Sequence, residues 1–273
     1  EDLRPERPWL IVRDPNRPTV GATGVILLSE WWGVTAHIRS RAATLAAAGH
    51  VVAVVDLFGG QLAQTPEQAA AQTERLREDL DGAAAAITRA QAYLERPPQP
   101  DSDRSSESAR DLSSRTEPRA SLSNVPDAVG LGVDRTVVVG LSLGGQLALR
   151  HALQQGAALD AAVLLYANPI LDPTALSSLR VPLTLIYGLR DEAVRPSRVA
   201  AFAEALPDNL PVDVHWFDAR HNFLDPADRP GSPASYELRP AAQAWEVVLA
   251  TIANVGSGDG EAVENARITS QRD

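Results

Sequence analysis

The chain has 273 residues, a formal net charge of −10, 44% hydrophobic and 22% charged residues, and neither cysteine nor methionine. That is enough apolar material for one large core or at most two smaller ones. The acidic balance argues against a nucleic-acid partner, because phosphate binding needs a positive field, and the missing cysteine excludes disulfides, thiolate nucleophiles and thiolate-bound metals.

Short, continuous, β-branched runs recur along the chain at Val25–Leu28, Val51–Val55, Thr136–Val139, Ala162–Leu165 and Leu183–Ile186, and each reads as a strand buried on both faces. Helical stretches fall between them at about 36–48, 66–95, 144–155, 196–206 and 238–254; in the longest, Leu76, Leu80, Ile87 and Leu94 form one apolar stripe. Strand and helix alternate, which predicts an α/β fold with a mostly parallel central sheet and helices on both faces, a single domain over 1–254. Residues 97–127 interrupt the rhythm with a Pro-, Ser- and charge-rich tract that has almost nothing apolar to bury, an expected disordered insertion, and 255–273 reads as a flexible tail. No apolar run approaches the ~18 residues of a membrane span. Glu1-Asp2-Leu3-Arg4-Pro5 lacks a secretory pattern, so a cytoplasmic monomer acting on small molecules, with no nucleic-acid or membrane partner, is expected.

Chemistry enters at Gly140-Leu141-Ser142-Leu143-Gly144-Gly145, which directly follows the strand ending at Val139 and directly precedes a helix. A serine between strand and helix sits on a sharp, strained turn, and the flanking glycines are needed because side chains there would collide as the backbone reverses. The turn lifts Oγ above the sheet and aims the N–H of Leu143 toward the oxyanion of a tetrahedral intermediate. Ser142 is thus the candidate nucleophile.

A base should follow it in the chain order nucleophile, acid, histidine. Of the five histidines, only His215 and His221 lie far enough along. His215 belongs to the alternating run Val212–Phe217, which reads as a strand, whereas His221 follows that run in a loop, where catalytic groups sit, and is preferred. The acid is expected after the strand that reaches Tyr187; Asp191 comes first after the turn and Glu192 next, and the other reading of Asp191 is a cap for the helix beginning near Pro196.

At this point the sequence resembles the dienelactone hydrolase family of α/β-hydrolases. Glu30-Trp31-Trp32-Gly33-Val34 followed by His37-Ile38-Arg39 is similar to that family's E-x-W-G…I-R signature, and Asp56-Leu57-Phe58 to its D-L-Y/F loop. Gly140–Gly145 is similar to its G-x-C-x-G-G turn, and Asp191 and His221 stand where its acid and base would. The resemblance implies hydrolysis of lactones or related esters without metal or organic cofactor. It also implies that the N–H of Trp31 is a second oxyanion donor and that Glu30 is a buried carboxylate near the nucleophile. Read on its own, Glu30 needs a partner wherever it is buried, and Arg39 is one candidate. Trp32, Phe58 and Arg39 are candidate substrate-pocket residues, and Trp31, Trp32 and Phe58, which could line an apolar acyl or ring pocket, are equally readable as packing.

Two departures from the family follow. Ser142 replaces the family's cysteine, so its un-ionised hydroxyl relies on His221 as a positioned base rather than on thiolate chemistry. Four residues after the histidine, where members specific for the dienelactone carry arginine, this chain has Asp225, which is expected to repel an anionic substrate; Arg190, Arg220 and Arg39 are the cations available to offset it. The sequence therefore points to a serine esterase or lactonase. An acyltransferase or perhydrolase using the same residues, and a non-catalytic binding protein on this fold, are the competing readings.

Overall fold

The computed structural model describes residues 8–98, 130–170, 172–229 and 235–257. Its centre is a seven-stranded sheet of β1 (Trp9–Val12), β2 (Thr23–Leu28), β3 (Val51–Val55), β4 (Arg135–Leu141), β5 (Ala161–Leu165), β6 (Leu183–Gly188) and β7 (Val212–Phe217). The order is β1-β3-β2-β4-β5-β6-β7, with β1 antiparallel to β3 and every other pair parallel. Every residue of β2, β3, β5 and β6 is buried, so both faces of the inner sheet are covered, as continuous apolar runs require.

The covering helices are α1 (Ala36–Ala47), α2 (Pro66–Glu78), α3 (Leu80–Glu95), α4 (Leu143–Gln155), the single turn α5 (Pro173–Leu176), α6 (Pro196–Glu204) and α7 (Leu238–Ser257). Their starts follow local chemistry. Thr35 caps α1 through its hydroxyl, and Thr65 caps α2 with Pro66 in the first turn, where a missing N–H is harmless. The stretch predicted as one helix over 66–95 is two. Asp79 leaves helical geometry (φ −131°, ψ 55°) and accepts from Gly82 N–H at 2.9 Å, so an aspartate cap overrides an apolar stripe that continues across it. The edge strand β1 is absent from the predicted elements, because four residues between prolines carry too little periodicity to separate strand from loop.

The expected tail is helical as far as Ser257, and its remainder, like most of the expected insertion at 97–127, lies outside the described residues. No helix among the described residues is long and apolar enough to cross a membrane.

Chain direction across the sheet reverses at β2: β3 lies on one side of it and β4 on the other. A crevice opens at the carboxyl ends of strands at such a switch point, which is where open parallel sheets bind ligands. Glu30 follows β2, Ser142 follows β4, Tyr166 follows β5, Asp191 follows β6 and His221 follows β7, so one rim of the sheet gathers them all.

Candidate active site

Ser142 occupies the turn between β4 and α4 with φ 51° and ψ −110°, a conformation that a side chain disfavours. The turn can be this tight only because its neighbours lack side chains. A Cβ on Gly140 would stand 2.3 Å from Gly144 O, and one on Gly144 would stand 2.4 Å from Leu28 O. Ser142 N–H donates to Leu165 O at 2.9 Å, anchoring the turn to β5, and Leu143 is the first residue of α4, so its N–H points out of the helix unpaired by the helix itself.

From Ser142 a chain of side-chain hydrogen bonds runs outward: Ser142 Oγ lies 3.2 Å from His221 Nε2, and His221 Nδ1 lies 2.7 Å from Asp191 Oδ2. Asp191 is buried, and its second oxygen accepts from Ala193 N–H (2.8 Å) and Val194 N–H (2.7 Å). One oxygen of Asp191 thus meets the imidazole, and the other caps the turn at 191–194 rather than the helix near Pro196, since α6 begins after Arg195 with no side-chain cap. Glu192 is exposed, and His215 on β7 pairs with Asp213 at 2.6 Å, whereas the imidazole against Ser142 Oγ is that of His221.

Glu30 is 1% exposed and lies behind this chain. Tyr166 O–H donates to its Oε1 at 2.7 Å, and Asn222, with its amide nitrogen turned toward the carboxylate as its surroundings favour, donates to Oε1 (2.5 Å) and Oε2 (3.3 Å). Arg39 is not its partner: it lies on the exposed face of α1, while Arg41 two residues on is turned inward with its guanidinium 4.7 Å from the Trp245 ring centre. The ring of Tyr166 also meets the imidazole of His221 edge-on, with ring centres 5.3 Å apart. Tyr166 (φ 39°) and Asn222 (φ 60°) join Ser142 as the non-glycine residues with positive φ among the described residues, so the strained backbone is concentrated at this rim. Sequence reading does not single out Tyr166 or Asn222, since each acts through a contact to a residue more than a hundred positions away.

Burial, reinforced by the nearby Asp225 carboxylate, pushes the Glu30 pKa up to about 8, against the opposing pull of the Tyr166 hydrogen bond, Arg229 and Arg41. The folded chain therefore holds this proton more tightly than the unfolded chain, whose carboxyl titrates near 4.5. Stability contributed by that proton is fully present below pH 4.5 and is lost as pH rises toward 8. Burial lowers His37 and His151 to about 4, which acts in the opposite sense, removing stability as pH falls from 6.5. Because both histidines remain in a Glu30→Gln variant, the difference in melting temperature between variant and parent isolates Glu30. It is expected to move in the variant's favour between pH 4.5 and 8, and an unchanged difference would show that Glu30 does not titrate there.

Asp225 differs from its sequence expectation. It is 1% exposed, pairs with Arg229 Nη1 at 2.7 Å and accepts from Ala227 N–H at 3.0 Å, so its charge is matched inside the protein rather than presented bare to a substrate. Arg229 in turn lies over the Trp32 ring at 4.4 Å. Arg190 is engaged at the surface by Asp218 and Glu237, and Arg220 is exposed.

The aromatic candidates separate. Trp32 is 1% exposed and packs on Ala63 and Ala69, whereas Trp31 is half-buried, edge-on to Trp32 with ring centres 5.2 Å apart. Phe58 borders a groove of about 680 Å³ between the 56–61 loop and α2 and α3, whose walls include none of Ser142, His221 and Asp191.

A parallel sheet with a serine elbow after its central strand and an acid and a histidine on the following loops defines a hydrolase of the α/β-hydrolase fold. The model of the dienelactone hydrolase family matches residues 11–256, and the chain belongs to that family; it is a carboxylic ester hydrolase. Among solved structures it is similar to one described as m3DLH (24% identity, TM-score 0.68, covering 90% of this chain and 91% of that one). It is also similar to a dienelactone hydrolase-like promiscuous phosphotriesterase from metagenomic libraries (17%, TM-score 0.65, 90% and 97%). A third is esterase 2 of Thermogutta terrifontis, phosphoramylated by tabun (15%, TM-score 0.58, 91% and 89%). At these identities the likeness is one of fold. A comparison with curated proteins found no match.

Proposed function

We propose that the protein cleaves a carboxylic ester or lactone through an acyl-enzyme on Ser142, with His221 as general base and acid and Asp191 as the group that orients it. The observation that carries this reading is the unbroken hydrogen-bond chain from Ser142 Oγ through His221 to Asp191, set on a strained elbow at the head of a helix. His221 Nε2 takes the Oγ proton as Oγ attacks the carbonyl carbon, and the carbonyl oxygen becomes an oxyanion held by the N–H groups of Leu143 and Trp31. Collapse expels the alkoxide, which receives the proton from His221. Water, deprotonated by the same imidazole, then releases the acid and restores Ser142. The bond from Asp191 to Nδ1 fixes the tautomer that leaves Nε2 free to accept.

Glu30 holds the base rather than the nucleophile in this scheme. Its contacts to Asn222 and Tyr166 brace the residue after His221 and the ring beside it. Serine in place of cysteine is consistent with that division, because a hydroxyl needs a positioned base at its oxygen, and His221 Nε2 lies there at 3.2 Å.

A panel of p-nitrophenyl esters and five- and six-membered lactones, each in neutral and carboxylate-bearing forms, tests the reading. Hydrolysis of the neutral members is expected, with equimolar acid and nitrophenol from each ester and a single hydroxy acid from each lactone. With Asp225 paired to Arg229, the carboxylate forms are expected to lose less than about tenfold in kcat/KM, the order of one unscreened like charge near the surface. Absence of turnover across the panel, together with stoichiometric ligand binding, would favour the binding-protein reading. Loss of free acid to an added alcohol or peroxide would favour acyl transfer.

A further inference from the structure

Leu143 N–H is held in place by α4, but Trp31 N–H belongs to the irregular segment between β2 and α1, where no repeating structure orients it. Three successive peptide units there are each tied down. Gly33 N–H donates to Glu30 O at 3.2 Å and so holds the unit that also carries Trp31 N–H; Ala63 N–H donates to Trp32 O at 3.2 Å; and between them Trp31 O accepts from Gln72 Nε2. Gln72 thus supplies the side-chain tie in this set, reaching from α2 across 41 positions, and it is 5% exposed. Its neighbours on α2 are engaged elsewhere. Ala69 packs on Trp32, Thr73 returns its hydroxyl to Ala69 O, and Arg75 reaches Gln61.

We propose that Gln72 is a positioning residue for the oxyanion site: its bond to Trp31 O fixes the plane of the Trp31–Trp32 peptide and so braces, from the following unit, the Glu30–Trp31 unit that carries the Trp31 N–H and that the Gly33 turn bond holds from the other side. The proposal rests on the reading of Trp31 as an oxyanion donor. The donor itself is untouched when Gln72 is altered, so the loss should be a fraction of the ~10²–10³ seen when an oxyanion donor is removed. A loop that must find its orientation in each turnover weakens binding of the transition state more than of the substrate.

The test compares the full-length parent with Gln72→Glu, which keeps the shape but cannot donate when ionised, and Gln72→Leu, which removes the polar group. For both variants kcat is expected to fall about tenfold to fiftyfold with KM within about threefold, and the inhibition constant of a trifluoromethyl ketone, whose adduct places an oxyanion in the site, is expected to weaken by the same factor as kcat/KM. Should one variant fail to fold, as judged by its melting curve, the other carries the comparison. A Gln72 variant with parental kcat and parental ketone affinity overturns the positioning role, as does a fall in kcat with ketone affinity unchanged. Failure of the broader reading looks different: the parent itself would neither turn over esters nor form the ketone adduct.

Discussion

Ser142→Ala is expected to lower kcat for a short p-nitrophenyl ester by about a millionfold, to the level left by the oxyanion donors and substrate binding alone, which is ~10³–10⁴ above water. The magnitude follows from the absence of a substitute. No cysteine exists in the chain, and the described residues place no second hydroxyl against His221 Nε2. The fold should survive, since the tight turn depends on Gly140 and Gly144, where a Cβ would meet backbone at 2.3 and 2.4 Å, and on the anchor from Ser142 N–H to Leu165 O, which alanine keeps. Melting within a few degrees of the parent and activity near zero is therefore the expected pair of results, read by ester assay and thermal denaturation. Retained activity would remove Ser142 from the reaction.

His221→Ala is expected to cost about a thousandfold or more in kcat, because the described residues place no other base against the un-ionised Ser142 hydroxyl. Two further changes give this meaning. His215→Ala should stay within about twofold of the parent, since His215 faces Asp213 on the edge strand. Asn222→Ala, which cuts the tie to Glu30 while leaving the imidazole, should fall between them at roughly tenfold. If His215→Ala gave the large loss and His221→Ala the small one, the assignment of the base would be reversed.

The parts of this site that are legible in the sequence are those whose chemistry is local. The elbow reads directly from the run of glycines around Ser142, because crowding at a tight turn is a nearest-neighbour effect. Asp191 and His221 are legible because each follows a run that reads as a strand, a continuous apolar one before Asp191 and an alternating one before His221, and their order along the chain is fixed by the direction in which the sheet is built. Glu30 is legible as a charge that needs a partner, but the partner is not. Arg39 is near in sequence yet on the wrong side of α1, while Tyr166, 136 positions away, is brought in by the pairing of β2, β4 and β5. Asp225 shows the same limit from the other side. Its type suggests repulsion of anions, whereas Arg229 four positions later pairs with it, and only the folded contact, with Asp225 buried, reveals that. The break at Asp79 and the short strand β1 escape for different reasons: an aspartate cap overrides an apolar stripe that runs on across it, and four residues carry too little periodicity to mark a strand.

A nucleophilic serine activated through His221 is tested most directly by treating the parent protein with a fluorophosphonate and locating the adduct by peptide mass spectrometry. One adduct per chain is expected, on Ser142, absent from Ser142→Ala and formed at least about a thousandfold more slowly in His221→Ala. An adduct on another residue, or ester hydrolysis that continues after Ser142 is fully modified, would contradict that assignment.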